Sequence, residues 1–195
     1  VMFFNSKIKN HRINSLEQKK IQLEKLGLDF LIIIKFNKFL SLLSAEQFIK
    51  RIIYNKIKSK YVFVSKNFKF GKKRQGNINT LKKFQNIYGF KTIITTPLKN
   101  LKRTISSSLI RKKISLGRIK EANKLLGRPW CVNGKVIKGK KRGRKIGFPT
   151  CNMRMRDYIV PKLGVYSVVV RANHFKKKGI ANIGYRPTFN GQNLL

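Results

Sequence analysis

The pattern of apolar residues changes at Gly127-Arg128-Pro129, and this change constrains the fold more than any other feature of the sequence. Helical and strand patterns alternate from residue 15 to 100, whereas strands interrupted by glycine follow the change. Alternation is typical of a parallel sheet with right-handed crossovers, and short glycine-broken strands are typical of an antiparallel all-β domain. The sequence therefore predicts an α/β domain over residues 1–126 and an all-β domain over residues 127–195.

Residues 15–100 of the α/β part are predicted to contain three helices and three strands. The first helix runs from Ser15 to Leu26 and is ended by Gly27. Ser44 and Gln47 have the spacing of a capping box that opens the second helix. The third helix surrounds Leu81 to Tyr88. These helices alternate with strands, which predicts a parallel sheet covered on both faces. The expected strands are a buried one from Asp29 to Ile34, then Tyr61 to Val64 and Lys91 to Thr96.

The second part is predicted to be a small antiparallel barrel. Its glycine-bounded strands are expected at Trp130 to Lys138, Val165 to Ala172 and Gly179 to Ile183. The solitary Cys131 and Cys151 form no CxxC pair, so we expect reduced, partly buried thiols and a cytoplasmic location. The longest apolar run is far shorter than the ~20 residues needed to cross a bilayer, and no membrane partner is expected.

The large positive net charge is the most unusual feature of the composition. The chain has 46 Lys and Arg against six Asp and Glu in 195 residues, a formal net charge of +40. Such a field attracts polyanions, so a basic RNA-binding or ribosome-associated protein is the alternative function, and non-specific nucleic-acid binding is an open expectation. The cations are spread through nearly every segment, however, along with abundant Ile and Asn, and a compositional bias toward these residue types is the favoured explanation of that distribution.

Residues 134–152, GKVIKGKKRGRKIGFPTCN, contain more residues suited to ligand binding than any other segment of the chain. Glycines let the backbone approach a phosphate, while a threonine hydroxyl and an asparagine carbonyl are oxygen ligands suited to Mg2+. A surface turn with solvated lysines would explain the glycines and cations alone, but the GFPTxN ending favours a nucleotide site. We predict a metal site at Thr150 and Asn152 and a phosphate loop at Gly139, Gly143, Gly147, Phe148 and Pro149.

A second candidate site follows the third predicted strand, in the segment Ile105 to Arg111, ISSSLIR. Ser107 is predicted to cap a helix that runs to about Leu116. The backbone amides of its first turn, the hydroxyls of Ser107 and Ser108 and the guanidinium of Arg111 could then face one anion. An ordinary serine cap with a solvated arginine is the alternative.

Four blocks of sequence resemble one family. Residues 134–152 resemble the flavokinase signature of bacterial bifunctional riboflavin kinase/FMN adenylyltransferases (FAD synthetases), and ISSSLIR resembles the family's ISS[TS]xIR motif. Residues 121–129, EANKLLGRP, are similar to its AxxLLGRP junction, and residues 181–189, ANIGYRPTF, resemble a later block. The resemblance covers essentially the whole chain, most specifically residues 105 to 189.

The resemblance implies a fold, two activities and the roles of several residues. It implies a Rossmann-like nucleotidyltransferase sheet followed by a flavokinase β-barrel, in a transferase of phosphorus-containing groups that makes FMN from riboflavin and then FAD from FMN, using ATP and Mg2+. Riboflavin, FMN and ATP would be its small-molecule partners. Ser107, Ser108 and Arg111 would hold the ATP triphosphate, and Arg186 would contact flavin or phosphate.

Residues 67–76, NFKFGKKRQG, resemble the family loop that lines the flavin site. Asn67 and Phe70 match and are predicted flavin contacts, although Ser65 and Lys66 replace the expected glycine and acid. Two aromatic residues in a basic loop could equally form an RNA-stacking platform or the packed edge of a sheet.

The sequence also departs from the family. The glycine-rich first strand and histidine loop of the family have no match, and the family's catalytic glutamate is expected beyond Leu195. Asp157 is the only acid after residue 126 and lies in what resembles a variable loop, so no catalytic residue is assigned. We therefore expect a fragment lacking both ends, with little or no activity by itself.

Overall fold

The computed structural model describes residues 11–100, 103–137, 147, 150–155, 157–172, 175–188 and 191–194. Contacts group the described residues into two units. The sheet unit is Ile32–Thr104, and the mixed unit combines the residues up to Leu31 with those from Ile105 onward. The domain boundary near residue 126 stays a prediction. No helix in the described ranges is long and apolar enough to cross a membrane.

The sheet unit contains a two-stranded parallel sheet, which confirms the predicted strand direction. Strand β1 (Tyr61–Ser65) pairs with strand β2 (Lys91–Thr95) in a register that joins Tyr61 to Lys91 and Ser65 to Thr95. The elements, in chain order, are α2 (Lys38–Leu42), α3 (Ala45–Phe48), a π-helix (Ile49–Ile57), β1 (Tyr61–Ser65), a 3-10 turn (Lys72–Arg74), α4 (Ile78–Gln85), β2 (Lys91–Thr95), β3 (Lys99–Asn100) and β4 (Arg103–Thr104).

Local sequence determines where two of these helices begin. The Oγ of Ser44 accepts from the N–H of Gln47 at 3.1 Å, and the Ser44 N–H donates to Oε1 of Gln47 at 2.9 Å, as the capping-box spacing predicts. Asn77 and Thr80 make the equivalent pair of bonds at the start of α4. These bonds satisfy N–H groups that the first turn of a helix leaves without intrahelical partners.

The core of the sheet unit lies on one face of its sheet. Val64 is buried, whereas Tyr61 and Phe63, which alternate with it along β1, are 59% and 65% exposed. The expectation that both faces are covered is therefore wrong for the described part of this unit, because the core packs only against the Val64 face. The buried members of this core are Ile49, Ile53, Val64, Phe70, Leu81 and Phe90.

The predicted buried strand from Asp29 to Ile34 is also wrong. These residues form neither helix nor strand, and Phe30 and Ile32 are 87% and 59% exposed. A strand needs a neighbour to pair its backbone N–H and C=O groups. In the described sheet β1 and β2 pair only with each other, so the apolar run has no strand beside it.

The mixed unit combines three helices with antiparallel ladders. Helices α5 (Ser107–Ser115) and α6 (Ile119–Leu126) pack through the buried residues Ile110, Ile114 and Ala122, and Gly127 ends α6 with a φ of +66°. The elements are α1 (Leu16–Glu24), α5 (Ser107–Ser115), α6 (Ile119–Leu126), β5 (Val136–Ile137), β6 (Asn152–Met153), β7 (Gly164–Ala172), β8 (Phe175–Ile183), β9 (Tyr185–Thr188) and β10 (Gly191–Leu194).

The antiparallel direction predicted for the second part is confirmed. β5 pairs with β6, β7 with β8 and β9 with β10, and over the described ranges these ladders remain separate and form no closed barrel. The strand predicted from Trp130 begins only at Val136. The reason is that the Trp130 N–H donates to Oδ1 of Asn123 at 2.7 Å and its indole packs beside the α5–α6 core, which removes it from any ladder.

The two cysteines differ from the expectation of partly buried thiols, since Cys131 and Cys151 are both exposed. Cys131 lies between the α5–α6 core and β5, and Cys151 immediately precedes β6. Both positions are outside the two clusters of buried apolar residues, and this explains their exposure.

Replacing Leu81 by Ala should lower the free energy of unfolding of the sheet unit by about 2–5 kcal/mol, because the side chain is fully buried and its removal leaves a cavity. Leu98, which is 78% exposed, provides the matched control. Leu98→Ala should change stability by less than about 0.5 kcal/mol in urea denaturation. Equal effects of the two variants would contradict the assigned core.

Candidate nucleotide and metal sites

The predicted anion site lies at the start of α5. Ser106, not Ser107 as predicted, caps the helix, and its Oγ accepts from the N–H of Leu109 at 3.2 Å. Ser106 has the extended backbone that a cap requires, whereas Ser107 is already helical. The N–H groups of Ser107 and Ser108 have no acceptor among the described residues. Such groups at a helix start favour an anion.

Arg111 lies one turn beyond Ser107 and Ser108, on the same face of α5. Its Nε donates to the backbone carbonyl of His11 at 2.7 Å, and its side chain is half-buried. The two terminal guanidinium nitrogens have no acceptor within the described ranges. The structure thus brings the three predicted residues together, with the arginine held by a bond that leaves its terminal nitrogens available.

An ion pair joins α5 to α6 behind this site. Nζ of Lys113 lies 2.6 Å from Oε2 of Glu121, and Arg118 lies 3.8 Å from the other carboxylate oxygen. The hydrogen bond from Lys113 is the main cause that holds the pKa of Glu121 below its ordinary value of 4.5. The pair therefore contributes to the arrangement of the two helices while the carboxylate is ionised.

The predicted metal ligands lie beside a short ladder. Asn152 begins β6 opposite Ile137 of β5 and is half-buried, while Thr150, two residues earlier, is exposed. A Cβ on Gly134 would lie 2.7 Å from Cγ of Met153, so only glycine fits there without displacement of the methionine. Close packing of residue 134 against β6 therefore fixes the strand that carries Asn152.

Part of the predicted phosphate loop lies outside the described residues, namely Gly139, Gly143, Phe148 and Pro149. Gly147 is exposed and has a φ of +82°, a conformation that glycine adopts without strain. The roles of these residues stay predictions.

Arg186 lies in β9, paired in register with Asn193 of β10. This register places it in an antiparallel ladder of the mixed unit, as its position in the second part of the chain predicts. Its predicted contact with flavin or phosphate stays a prediction.

The loop predicted to line a flavin site follows the carboxyl end of β1, which is the edge where parallel sheets bind ligands. Asn67 is exposed there, but Phe70 is only 7% exposed. The Phe70 ring stacks on Phe68 at 5.4 Å and contacts Phe48 at 5.5 Å between ring centroids. The ring of Phe70 is thus already used in packing, so Asn67 is the member of the pair that is free to meet a ligand.

The two glycines of this loop are required by close packing. A Cβ on Gly71, whose φ is +73°, would lie 2.8 Å from backbone atoms of Ala45, and one on Gly76 would lie 2.8 Å from the ring of Phe70. Phe70 and Gly76 also exchange two backbone hydrogen bonds, at 2.9 and 3.1 Å. The loop is therefore shaped by a buried aromatic ring and two residues without side chains.

The acid considered in the second part, Asp157, is exposed and lies 3.6 Å from the guanidinium of Arg12. Its backbone carbonyl accepts from the N–H groups of His11 and Arg12. In the described ranges no three His, Cys, Asp or Glu side chains form a cluster that could hold a metal ion.

A shallow groove of about 450 Å³ lies elsewhere, at the amino ends of β1 and β2. Tyr54, Lys58, Lys60 and Tyr88 line it. The groove is therefore on the opposite edge of the sheet from the predicted flavin loop. Ligands of parallel sheets bind beyond the carboxyl ends of the strands, which is the edge of the flavin loop.

The roles of Ser106 as a helix cap and of Trp130 as an anchor were not predicted from the sequence. Three consecutive serines offer equally good caps, and only the backbone angles distinguish them. Trp130 is the single tryptophan of the chain and follows a Gly-Arg-Pro turn, which could have indicated an anchor. Its Nε1 donates to the carbonyl of Ile13 at 2.8 Å, a partner that no local pattern identifies.

Comparison with family models matches residues 1–109 to FAD synthetase and residues 126–195 to riboflavin kinase. Curated relatives described as bifunctional riboflavin kinase/FMN adenylyltransferase include those of Buchnera aphidicola subsp. Schizaphis graminum, 42% identical over 190 residues, and Listeria monocytogenes, 38% identical over 184 residues. These matches cover 96% and 94% of this chain but 61% and 58% of the relatives. The chain thus spans about three fifths of their length.

A solved structure from Streptococcus pneumoniae, described as a macrolide-efflux protein, has a similar fold. Its TM-score is 0.80 at 31% sequence identity, and the match covers 93% of this chain and 59% of that chain. The agreement extends over nearly the whole chain and supports the arrangement of elements described above.

Glu121→Gln should destabilise the mixed unit at neutral pH, because it removes the charge paired with Lys113. A lowered pKa in the folded state means that the contribution is present above the unfolded pKa and is lost as pH falls through the folded one. The difference from wild type should therefore be constant above about pH 5 and should shrink as the pH falls below the ordinary glutamate pKa of 4.5 in denaturant titrations. Glu24→Gln, at a carboxylate without an ion pair among the described residues, is the control; a pH-independent Glu121→Gln effect would contradict the assignment.

Proposed function

Because the chain belongs to the FAD synthetase family, we propose that it serves two successive transfers from ATP. In the first, the terminal ribityl hydroxyl of riboflavin attacks the γ-phosphorus of ATP, giving FMN and ADP. In the second, the phosphate of FMN attacks the α-phosphorus of another ATP, giving FAD and pyrophosphate. A cytoplasmic location is part of the same proposal.

The proposal is supported mainly by the hydrogen-bonding groups at the start of α5. The first residues of α5 carry two N–H groups without acceptors among the described residues and two exposed hydroxyls, and Arg111, one turn further on, has terminal nitrogens without acceptors in the same ranges. Phosphoryl chemistry depends mainly on the alignment and neutralisation of phosphates, and this arrangement provides both. We assign Ser107, Ser108 and Arg111 to the ATP of the adenylyl transfer.

Mg2+ fits the donor set near β6. The hydroxyl of Thr150 and the carboxamide of Asn152 are hard oxygen ligands, and the segment carries no carboxylate. Because Mg2+ is commonly held by few protein ligands together with substrate phosphates, these two residues would bind it as the nucleotide complex. When bound, the ion neutralises charge on the transferred phosphoryl group. Gly139, Gly143, Gly147, Phe148 and Pro149 are assigned to the phosphate loop beside it.

The flavin contacts form the third part of the proposal. Asn67 is exposed at the carboxyl edge of the sheet and can offer its amide to a polar edge of the ring. The buried ring of Phe70 stabilises the loop by packing. Arg186, in β9, is assigned a flavin or phosphate contact. Asp157, already paired with Arg12, is not assigned as the base that accepts the riboflavin proton.

Nucleic-acid binding is retained only as a non-specific property of the charge. The field of a +40 chain attracts any polyanion, and such binding weakens steeply with salt. The proposed nucleotide sites depend in addition on directed hydrogen bonds and should weaken less between low and physiological salt.

Asn152→Ala should weaken Mg2+-dependent ADP binding by about tenfold or more, because it removes a metal ligand. Calorimetric titration with ADP, in Mg2+ and in EDTA, measures the effect. Asn55→Ala, at an exposed residue of the sheet unit, is the matched control and should bind as wild type. Equal Mg2+-dependent affinities of the two variants would contradict the metal assignment.

Arg111→Met should weaken pyrophosphate binding by about tenfold, because it removes a charged donor from the start of α5. Lys112→Met removes the same charge from the adjacent, exposed position and should have a much smaller effect at constant salt. Calorimetry gives both affinities. If the two variants lose affinity equally, the general field and not the guanidinium binds the anion.

A further inference from the structure

The side-chain amide of Gln18, in the first turn of α1, uses its full hydrogen-bonding capacity. Its Oε1 accepts from the N–H of Ser15 at 2.9 Å and from the hydroxyl of Tyr158 at 3.2 Å. Its Nε2 donates to the carbonyl of Cys131 at 3.0 Å and to Oδ1 of Asn133 at 3.1 Å. One amide has two protons and two acceptor positions, so every one is used.

Three of these four bonds reach residues more than 100 positions away in the chain. Cys131, Asn133 and Tyr158 are 113, 115 and 140 residues from Gln18. Tyr158 is 4% exposed, and its hydroxyl also accepts from the N–H of Asn133 at 3.2 Å. Gln18, Asn133 and Tyr158 thus form a closed ring of hydrogen bonds, which holds each member more firmly than a single contact would.

This ring leads directly to the strand that carries the predicted metal ligand. Gly134 follows Asn133 and packs against Met153, and β5 begins two residues later and pairs with β6. Asn152 is the neighbour of Met153 in β6. The position of Asn133 therefore sets the position of β5, and through it that of Asn152.

We propose that Gln18 is a positioning residue, whose amide holds residues 131–133 against α1 and so fixes the β5–β6 ladder. The link joins sequence regions that match two different family models, since Gln18 lies in residues 1–109 and its distant partners lie in residues 126–195. Its consequence for Mg-ADP binding rests on the proposed function, but the link itself does not.

Gln18→Glu tests the link. The carboxylate keeps both acceptors for Ser15 and Tyr158 but replaces the two donors with an oxygen that faces the Cys131 carbonyl. Gln47→Glu is the matched control, because Gln47 makes the same capping box with Ser44 and no other bond among the described residues. Tyr158→Phe is a second variant that opens the ring from the other side and leaves the N–H of Asn133 without its acceptor.

Backbone amide hydrogen exchange is the first measurement. Gln18→Glu and Tyr158→Phe should accelerate exchange at Asn133 and in β5 and β6 by about tenfold or more, while the core amides of Ile110 and Ile114 keep wild-type rates. In Gln18→Glu the effect should diminish as pH falls through the glutamate pKa, since the protonated acid regains one donor. Gln47→Glu should match wild type. Unchanged exchange in β5–β6, or equal acceleration throughout the unit, would overturn the proposal.

Mg-ADP affinity is the second measurement. We expect it to fall about five- to tenfold in Gln18→Glu and to be unchanged in Gln47→Glu. If wild type binds Mg-ADP and Gln18→Glu binds it equally well, Gln18 does not position the metal ligand and the proposal fails. If wild type does not bind Mg-ADP, the proposed function fails in this chain, and the exchange rates alone decide whether Gln18 holds the ladder.

Discussion

Residues 11–15 have no regular secondary structure, yet all of them except Arg12 are half-buried, and the need to pair their backbone groups organises the mixed unit. Carbonyls of this stretch accept from Arg111 of α5, from the indole of Trp130 and from the N–H of Ile159. Each bond provides a partner for a backbone carbonyl in a largely half-buried segment. The same bonds orient the arginine of the candidate anion site and hold Trp130, which precedes β5, and Ile159, which follows β6, so both candidate sites depend on this stretch.

The scarcity of carboxylates shapes the chemistry as strongly as the excess of cations does. With six acids in the chain, most lysines and arginines have no carboxylate to pair with, and the resulting field favours phosphates. The candidate metal ligands are likewise neutral oxygens, Thr150 and Asn152. A neutral donor pair has little affinity for a free cation in a positive field, so the nucleotide must supply the negative charge with the metal. Charge and ligand chemistry therefore favour a metal-nucleotide complex over a resident ion.

The predictions that succeeded were those that depend on near neighbours in the chain. The capping box at Ser44 needs only a serine and a glutamine three residues apart, and the parallel β1–β2 pair follows from helices between strands. The predictions that failed needed information about distant residues. Asp29 to Ile34 has the composition of a buried strand but no partner strand in the described sheet. Phe70 is packed against Phe48 and Phe68, and its contact with flavin stays a prediction.

The sequence alone determined the helix starts at Ser15 and Ser44, the change from parallel to antiparallel strands, the family and the residue types suited to phosphate and Mg2+, because each is encoded in spacing along the chain. Only the tertiary structure decided that Ser106 is the cap, that the His11 carbonyl holds Arg111, and that Gln18 reaches Asn133 and Tyr158. Hydrogen bonds between groups a hundred or more residues apart leave no periodic trace in the sequence. They exist because folding brings distant segments into contact, where polar atoms that lose access to water need partners.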